Sequence, residues 1–159
     1  MENHRTIVNR WLSQMGELMQ SKLELDEEGI CAITDKEGLI VVIEAPEEGS
    51  LVHLYTPLCP MLDGLEPNYA MLEYAMMLNL FSVRTRGGAI GYSQERGELM
   101  FSYIIEVNYC DDTRFVNILQ NFMQTAKELK ANLADLIQSL PQKASEGASS
   151  DAAILGITP

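Results

Sequence analysis

The chain has 159 residues, of which 47% are hydrophobic and 21% are charged. This is the composition of a globular domain rather than of a disordered or fibrous protein. Its 11 basic and 23 acidic residues give a net charge of -12, which argues against nucleic acid or an anionic membrane as a partner, because both are bound by clustered Lys and Arg.

The three cysteines are odd in number and show no C-x-x-C spacing: Cys31, Cys59 and Cys110. Neither a disulfide framework nor a zinc site is therefore predicted, and a reducing cytosol fits best. The segment from Met1 to Thr6 is polar, so we expect no secretory signal. No apolar run approaches the roughly 20 residues that a membrane span needs.

The first predicted element is an amphipathic helix from Thr6 to Gln20, whose apolar residues fall on one arc of about 140°. An acidic stretch and a turn at Asp26–Gly29 lead into a first strand, Ile30–Thr34. A second turn at 35–38 closes a hairpin into a second strand, Leu39–Ile43.

The second strand is apolar on both of its alternating faces, so we expect it to lie inside the sheet with both faces covered. A turn at 46–49 precedes a third strand, Leu51–Thr56. Three strands joined by short turns predict an antiparallel meander.

A proline-containing loop from Pro57 to Leu65 leads to a second helix, Asn68–Phe81, with Pro67 in its first turn. The apolar residues of this helix form two opposed stripes, one of Leu65, Tyr69, Leu72, Met76 and Leu80, and one of Met71, Tyr74, Leu78 and Phe81. A helix that is apolar on both sides must be buried on both sides, and one small sheet can cover one of them. The other stripe requires a further partner.

A fourth strand is predicted at Ala89–Tyr92, with a bulge or a close backbone approach at Gly91. The fifth strand, Leu99–Val107, is predicted to be the longest. Asp111 or Asp112 can cap a third helix that carries a single apolar stripe and ends at Pro141. Residues 1–141 form one predicted domain, and 142–159, rich in Ala, Ser and Gly, are expected to be a disordered tail.

Few residues are suited to catalysis or metal binding. A cysteine hydrolase needs a Cys, a His and an orienting group together, and the candidates are Cys59 with His53 six residues before it, or His4 near the terminus. A small apolar Cys packed in a loop is the preferred interpretation. The metal ligands also lack a suitable spacing, so neither a metal nor a cofactor is predicted.

Nine acidic residues lie between Glu24 and Glu48, against the single base Lys36. Their spacing does not match a calcium loop, and solvated turns are the preferred interpretation, although their field could attract a basic partner. The segment Gly87–Gly91 is glycine-rich, but it follows a helix and enters a strand, which is the reverse of a phosphate-binding loop.

The unusual feature is excess apolar surface: a two-sided helix, a two-sided strand, Trp11 and nine methionines. Methionine suits adaptable surfaces, although most buried methionines fill gaps in a core. Taken together, these residues indicate partner surfaces rather than a catalytic pocket.

The segment Leu78–Phe81 followed by Arg84–Tyr92, and its continuation through Glu95–Phe101, resembles the class I type III secretion chaperones, the CesT/SycE-like (Tir chaperone) family. The order helix, three strands, helix, two strands, helix is also similar to that family. The resemblance covers roughly Ile7 to Leu140.

This resemblance implies an α/β (α+β) protomer, a homodimer and a bacterial cytoplasmic chaperone without catalytic activity. Its client would be a secreted effector, held in an extended, non-globular state by its N-terminal chaperone-binding segment, and a secretion ATPase is a further candidate partner. We place the dimer interface on the second helix and the neighbouring strand, at Tyr69, Leu72, Met76, Leu80 and Ile90, although which stripe faces the partner stays open.

We place the client surface on the first helix and the sheet, because Trp11 is the kind of large anchor that dominates interfaces. The predicted residues are Ile7, Trp11, Met15, Ile33, Val41 and Leu54. The alternative is that they pack the first helix onto its own sheet, which we prefer for Val41. Two other functions stay open: a small adaptor of the same fold, and a hydrolase or transferase that uses Cys59 or an acid pair.

Overall fold

The computed structural model describes residues 3–141, which form three helices and one antiparallel five-stranded sheet. The strand order is β1-β2-β3-β5-β4. The elements in chain order are α1 His4–Met19, β1 Ile30–Thr34, β2 Ile40–Glu44, β3 Leu51–Pro60, α2 Leu65–Asn79, β4 Ala89–Ser93, β5 Glu98–Glu106 and α3 Asp112–Ser139. The predicted fold class and order of elements are confirmed, including the meander of the first three strands.

Helix α1 begins where the Asn3 side chain accepts a hydrogen bond from the Arg5 backbone N–H, 3.0 Å long, as an N-cap does. The Arg5 guanidinium donates to the carbonyl oxygens of Ala45, Glu27 and Glu28, and so fixes the helix to the start of the hairpin β1–β2. His4, near the terminus, lies in the first turn and hydrogen-bonds the Pro46 carbonyl oxygen.

The helices pack on one face of the sheet. Alternate strand residues on this face are buried, among them Ile33, Val41 and Leu54. The other face is open along the sheet, and on β2 it leaves Ile40 exposed and Val42 half-buried. The prediction that β2 is covered on both faces is therefore wrong, because all three helices lie on the same side.

Strand β3 runs to Pro60 and contains ten residues, one more than β5, so the prediction that the fifth strand is the longest is wrong. The prolines fit because β2 pairs with β3 only as far as Tyr55. The carbonyl oxygen of Ile40 accepts a hydrogen bond from the Thr56 hydroxyl instead, 2.6 Å long. A shift of register between Pro57 and Cys59 ends the regular pairing with β5.

Helix α2 turns the stripe that contains Met71 and Leu78 onto the protomer and leaves the opposite stripe in solvent. A 3₁₀ turn, Leu80–Ser82, follows it, and within this turn Phe81 has φ +59°. Phe81, which the helical pattern groups with Met71 and Leu78, is 86% exposed.

Strand β4 pairs with β5 without interruption, and a Cβ atom at Gly91 would meet nothing within 4 Å. The predicted bulge or close approach at Gly91 is wrong. The close approach is at Gly88, where a Cβ atom would lie 2.5 Å from the Phe101 ring.

Helix α3 begins after Asp111, whose carboxylate accepts a 2.7 Å hydrogen bond from the Arg114 backbone N–H. Its buried residues form the predicted single stripe, and the helix ends at Ser139, two residues before Pro141. The tail predicted at 142–159 lies outside the described residues.

Candidate functional site

The outer stripe of α2 carries a row of exposed apolar side chains. Four of the residues predicted at a dimer interface lie on it and are exposed: Tyr69, Leu72, Met76 and Leu80. Leu65, Met77, Phe81 and Val83 extend the exposed area at both ends. We call these eight residues the outer α2 surface. The fifth predicted residue, Ile90, is buried against the protomer, so its side chain does not contribute to this exposed surface.

Most of the residues predicted to bind a client are buried in the core rather than exposed on the surface. Trp11 is 1% exposed and stacks on Phe115, with 5.1 Å between the ring centroids. Met15, Ile33, Val41 and Leu54 are buried beside it in the core. In this conformation the five side chains pack α1 onto its own sheet, which is the alternative that the sequence left open, and their contact with a client stays a prediction. Ile7 is half-buried at the edge of the core and stays a candidate.

The open face of the sheet is the second uncovered surface. Cross-strand pairing aligns Ala32, Val42, Tyr55, Ser102 and Ala89 in one row across all five strands. Exposed apolar side chains flank this row at Ile40, Leu51 and Ile104. Within residues 3–141 no helix covers this face, so it offers a shallow and partly apolar surface to a partner.

Strand β5 is longer than its neighbour β4, whose pairing ends at Ala89 opposite Ser102. Among the described strands none pairs with Tyr103–Glu106 on that side, and an unpaired edge presents backbone N–H and C=O groups to an incoming strand. We call this segment the β5 edge.

A cavity of about 210 Å³ lies next to the β5 edge, between β5, α3 and the turn at 84–86. Thr85 lines it, is 1% exposed, and carries a buried hydroxyl without a hydrogen-bond partner. A second cavity of about 100 Å³ borders Tyr103–Glu106 and shares Tyr103 and Ile118 with the first. The two cavities therefore form a discontinuous groove along the edge, and the Thr85 hydroxyl is buried in its wall.

The positions of His53 and Cys59 do not suit nucleophilic catalysis. His53 pairs with the exposed Ile104 and therefore faces the open side of the sheet, whereas Cys59, after the register shift, pairs with the buried Leu99. Six residues of strand also span about 20 Å. Burial raises the pKa of the Cys59 thiol despite the nearby Lys130, which disfavours the reactive thiolate at neutral pH.

Burial also raises the pKa of the other two thiols, Cys31 and Cys110. Residues 3–141 contain no group of three or more His, Cys, Asp or Glu side chains placed to hold a metal ion.

The acidic segment is partly engaged within the protomer. Lys127 on α3 forms ion pairs of 2.7 Å with Asp35 and 3.0 Å with Glu37, both in the β1–β2 turn. Burial opposes the ionisation of Asp35, yet hydrogen bonds from Lys127 and from the backbone N–H groups of Leu39 and Glu37 hold its pKa below the usual value. These two acids therefore lie in a turn, as predicted, but they form ion pairs with Lys127 rather than being only solvated.

Sequence reasoning missed the β5 edge and the cavity beside it. The unequal lengths of the fourth and fifth predicted strands were the signal that could have found the edge, since a short strand cannot pair with the whole of a longer one. The unpartnered Thr85 hydroxyl has no such signal, because it depends on how α3 packs over the turn.

No helix in the described part of the chain is long and apolar enough to cross a membrane.

The sequence profile of the Tir chaperone protein (CesT) family matches residues 10–130, which is more than half of the chain. The chain belongs to this family, as its sequence resemblance predicted. A comparison with curated proteins finds no significant match.

Solved structures of several complexes share the fold. A chain of the ExsC-ExsE complex superposes with a TM-score of 0.69 at 18% identity, over 83% of this chain and 97% of that one. A chain of the HopA1-SchA chaperone-effector complex gives 0.64 at 15% identity, over 85% and 98%. A chain of the ExoU-SpcU complex, from the type III secretion system of Pseudomonas aeruginosa, gives 0.59 at 17% identity, over 81% and 96%.

The family and the fold together define the class of this protein as a type III secretion chaperone. At these identities the solved structures establish the fold alone, and the surfaces that serve this chain's own partners follow from its own residues.

Proposed function

We propose that this chain acts in the bacterial cytoplasm as a homodimer that binds a secreted effector in an extended, non-globular state and keeps it competent for secretion. Membership of the chaperone family carries the proposal. A client ordered by chaperone contacts rather than by its own core stays unfolded enough for export. This function needs no cofactor and no catalytic residue, and a secretion ATPase is a further candidate partner.

The outer α2 surface supports the homodimer. Stable interfaces bury about 800 Å² on each partner, and Tyr69 and Phe81, both well exposed, would alone contribute roughly 300 Å² if buried. A two-fold axis across α2 would place the same stripe on both copies, so that one apolar surface covers the other. Without a partner, this stripe leaves several large apolar side chains in water along one side of the helix.

The β5 edge and the open sheet face support client binding. An extended segment can add a strand beside Tyr103–Glu106 through backbone hydrogen bonds, and its side chains can enter the adjoining cavity. Ile104, exposed on the same strand, offers apolar contact on the open face.

The test begins with purification from the native host and identification of the copurifying protein. Ile104→Asp should reduce its retention at least about tenfold, because a charge replaces an exposed apolar contact. Leu18→Asp is the matched control, since Leu18 is equally apolar and exposed but lies on α1. Equal retention by both variants would refute the assigned surface, and the absence of any secreted protein among the copurifying chains would refute the function.

Light scattering tests the homodimer separately. A mass equal to the 17.8 kDa of one chain at micromolar concentration would contradict it, whereas twice that mass is expected.

A further inference from the structure

A groove lies where the end of α3 meets the loop that leads into α2. Its volume of about 780 Å³ is within the range of known ligand sites. Apolar side chains form most of its two walls: Leu62, Leu65 and Pro67 on one, and Ile137, Leu140 and Pro141 on the other. Two exposed acids, Asp63 and Glu66, also line it.

The described residues leave this groove uncovered. Leu65 is 90% exposed, and Leu62, Ile137 and Leu140 are half-buried. An apolar groove with a leucine in water at its wall is a surface that further apolar groups can cover. The groove meets the outer α2 surface at Leu65, so two occupants come from this protein itself: another part of the same chain, or a second copy.

The sequence continues from the wall of the groove. Pro141 lines the groove and is the last described residue, and residues 142–159 follow it. The first part of this segment, 142–153, contains only Gln, Lys, Ala, Ser, Glu, Gly and Asp. The second part contains three large apolar residues within four positions, at Ile154, Leu155 and Ile157. Such side chains gain free energy by leaving water, so the sequence supplies an apolar ligand.

The connecting segment is long enough to bring these residues back to the groove. Twelve small and polar residues, 142–153, have a root-mean-square span of about 19 Å as a flexible linker. The groove begins at Pro141, where this linker starts, and a short linker gives an effective concentration in the mM range. The same segment of another chain at micromolar concentration is about 1,000-fold more dilute. Docking within one chain is therefore favoured.

We propose that the segment Ile154–Ile157 docks in the groove of its own chain and covers Leu65. Its apolar side chains match the leucine, isoleucine and proline side chains of the two walls. The contact is independent of the proposed homodimer and client, since every residue in it belongs to one chain. It closes one end of the outer α2 surface, at Leu65, to other apolar partners.

Thermolysin tests the proposal, because it cleaves before large apolar residues and so attacks the segment when it is undocked. The full chain is compared with a free peptide of residues 142–159, and cleavage within 154–157 is followed by mass spectrometry. The cleavage rate follows the population of the undocked form when docking is fast, so the full chain should be cleaved at least about tenfold more slowly. An equal rate in chain and peptide would overturn the proposal and leave the groove to another partner.

Matched variants separate the groove from the rest of α2. Leu65→Glu places a charge in the groove and should raise the cleavage rate about tenfold, while Glu suits the first turn of a helix and preserves the fold. Met76→Glu is the control, because Met76 is exposed on the outer α2 surface but does not line the groove, and its rate should change less than about twofold. Leu140→Ser tests the other wall and should act as Leu65→Glu does. Equal rates for the two Glu variants would show that the groove does not hold the segment.

Linker length and protein concentration distinguish the chain's own segment from that of a second copy. Twelve Gly and Ser residues inserted after Gly147 double the linker, lower the effective concentration about threefold and should raise the cleavage rate by that factor. Dilution of the original chain should leave the rate unchanged. Protection that is insensitive to the insertion but lost on dilution would assign the groove to a second copy and overturn the proposal.

Discussion

Helices α1 and α2 are both rich in apolar residues, yet they use them for different purposes. The apolar stripe of α1 is almost wholly buried inside the protomer, where Trp11 stacks on Phe115. Helix α2 buries one stripe and leaves the other in solvent, and the 3₁₀ turn that follows it exposes Phe81. The difference shows that a large aromatic residue does not reveal from its type alone whether it supports the fold or an interface.

The largest effect on this difference between α1 and α2 is expected from removing the Trp11 side chain. Trp11→Ala should lower the free energy of unfolding by about 3–5 kcal/mol, because it leaves a cavity in the core. Denaturant unfolding followed by circular dichroism measures the change. A variant that stays as stable as the original while it loses its client would return Trp11 to the client surface.

The corresponding change on α2 should act on association. Met76→Glu places a charge in the proposed interface on each copy, so the dissociation constant should rise about 100-fold, equal to roughly 2.7 kcal/mol. Light scattering over a dilution series measures it, while the circular dichroism spectrum of the protomer should be unchanged. Glu73→Gln is the control, since Glu73 is an exposed polar residue on the same helix. A Met76→Glu protein that unfolds would mean that this stripe supports the protomer.

A smaller effect is expected where α3 meets the β1–β2 turn near the end of α1. Asp35→Asn keeps acceptors for the N–H groups of Leu39 and Glu37 but loses the charge that pairs with Lys127, so stability at pH 7 should fall modestly. The pKa of Asp35 is lowered in the folded chain. Its contribution is therefore complete above the unfolded value of about 3.9 and is lost as the pH falls through the lower folded pKa.

Unfolding of both proteins between pH 7 and pH 2 measures this effect. The difference in stability between them should shrink at the acidic end, since the original chain then loses the charge that the variant never has. A difference that stays constant with pH would show that the charge of Asp35 contributes nothing.

The smallest effect is expected at the chemically reactive residues. Cys59→Ser, and replacement of His4, His53, Cys31 or Cys110 in turn, should leave client binding within about twofold, because burial raises the pKa of all three thiols and residues 3–141 contain no group of three metal-ligating side chains. Retention of the copurifying protein is the readout. A catalytic activity of the chain that Cys59→Ser abolishes would contradict this expectation and indicate an enzyme that uses Cys59.

Much of the fold could be predicted because its signals are local. The strands Ile30–Thr34 and Ala89–Ser93 and the cap Asp111 follow from turn residues and periodicity, and the structure agrees within a residue or two. The end of β3 could not be predicted in this way, since Pro57 normally marks a strand end and is tolerated here because β2 has already stopped pairing.

The functional surfaces depend on tertiary packing, which sequence patterns do not encode directly. Two stripes on α2 are visible in the sequence, but which one the sheet covers depends on how the helix is oriented by Asn79 and Ile90. Periodicity places Trp11 and Phe81 each on an apolar stripe, but it does not show whether that stripe faces the protomer or solvent. In the structure Trp11 is buried and Phe81 is exposed.

The prolines of β3 have a further consequence for solubility. Pro57 and Pro60 lie where β3 extends past the last pairing with β2, and neither has a backbone N–H to donate. An edge that lacks these donors is a poor template for another strand, which guards it against aggregation. The end of β3 therefore cannot readily pair with an extended segment, whereas the β5 edge can. This difference lowers the risk that chaperone copies with bound client assemble into fibres through β3.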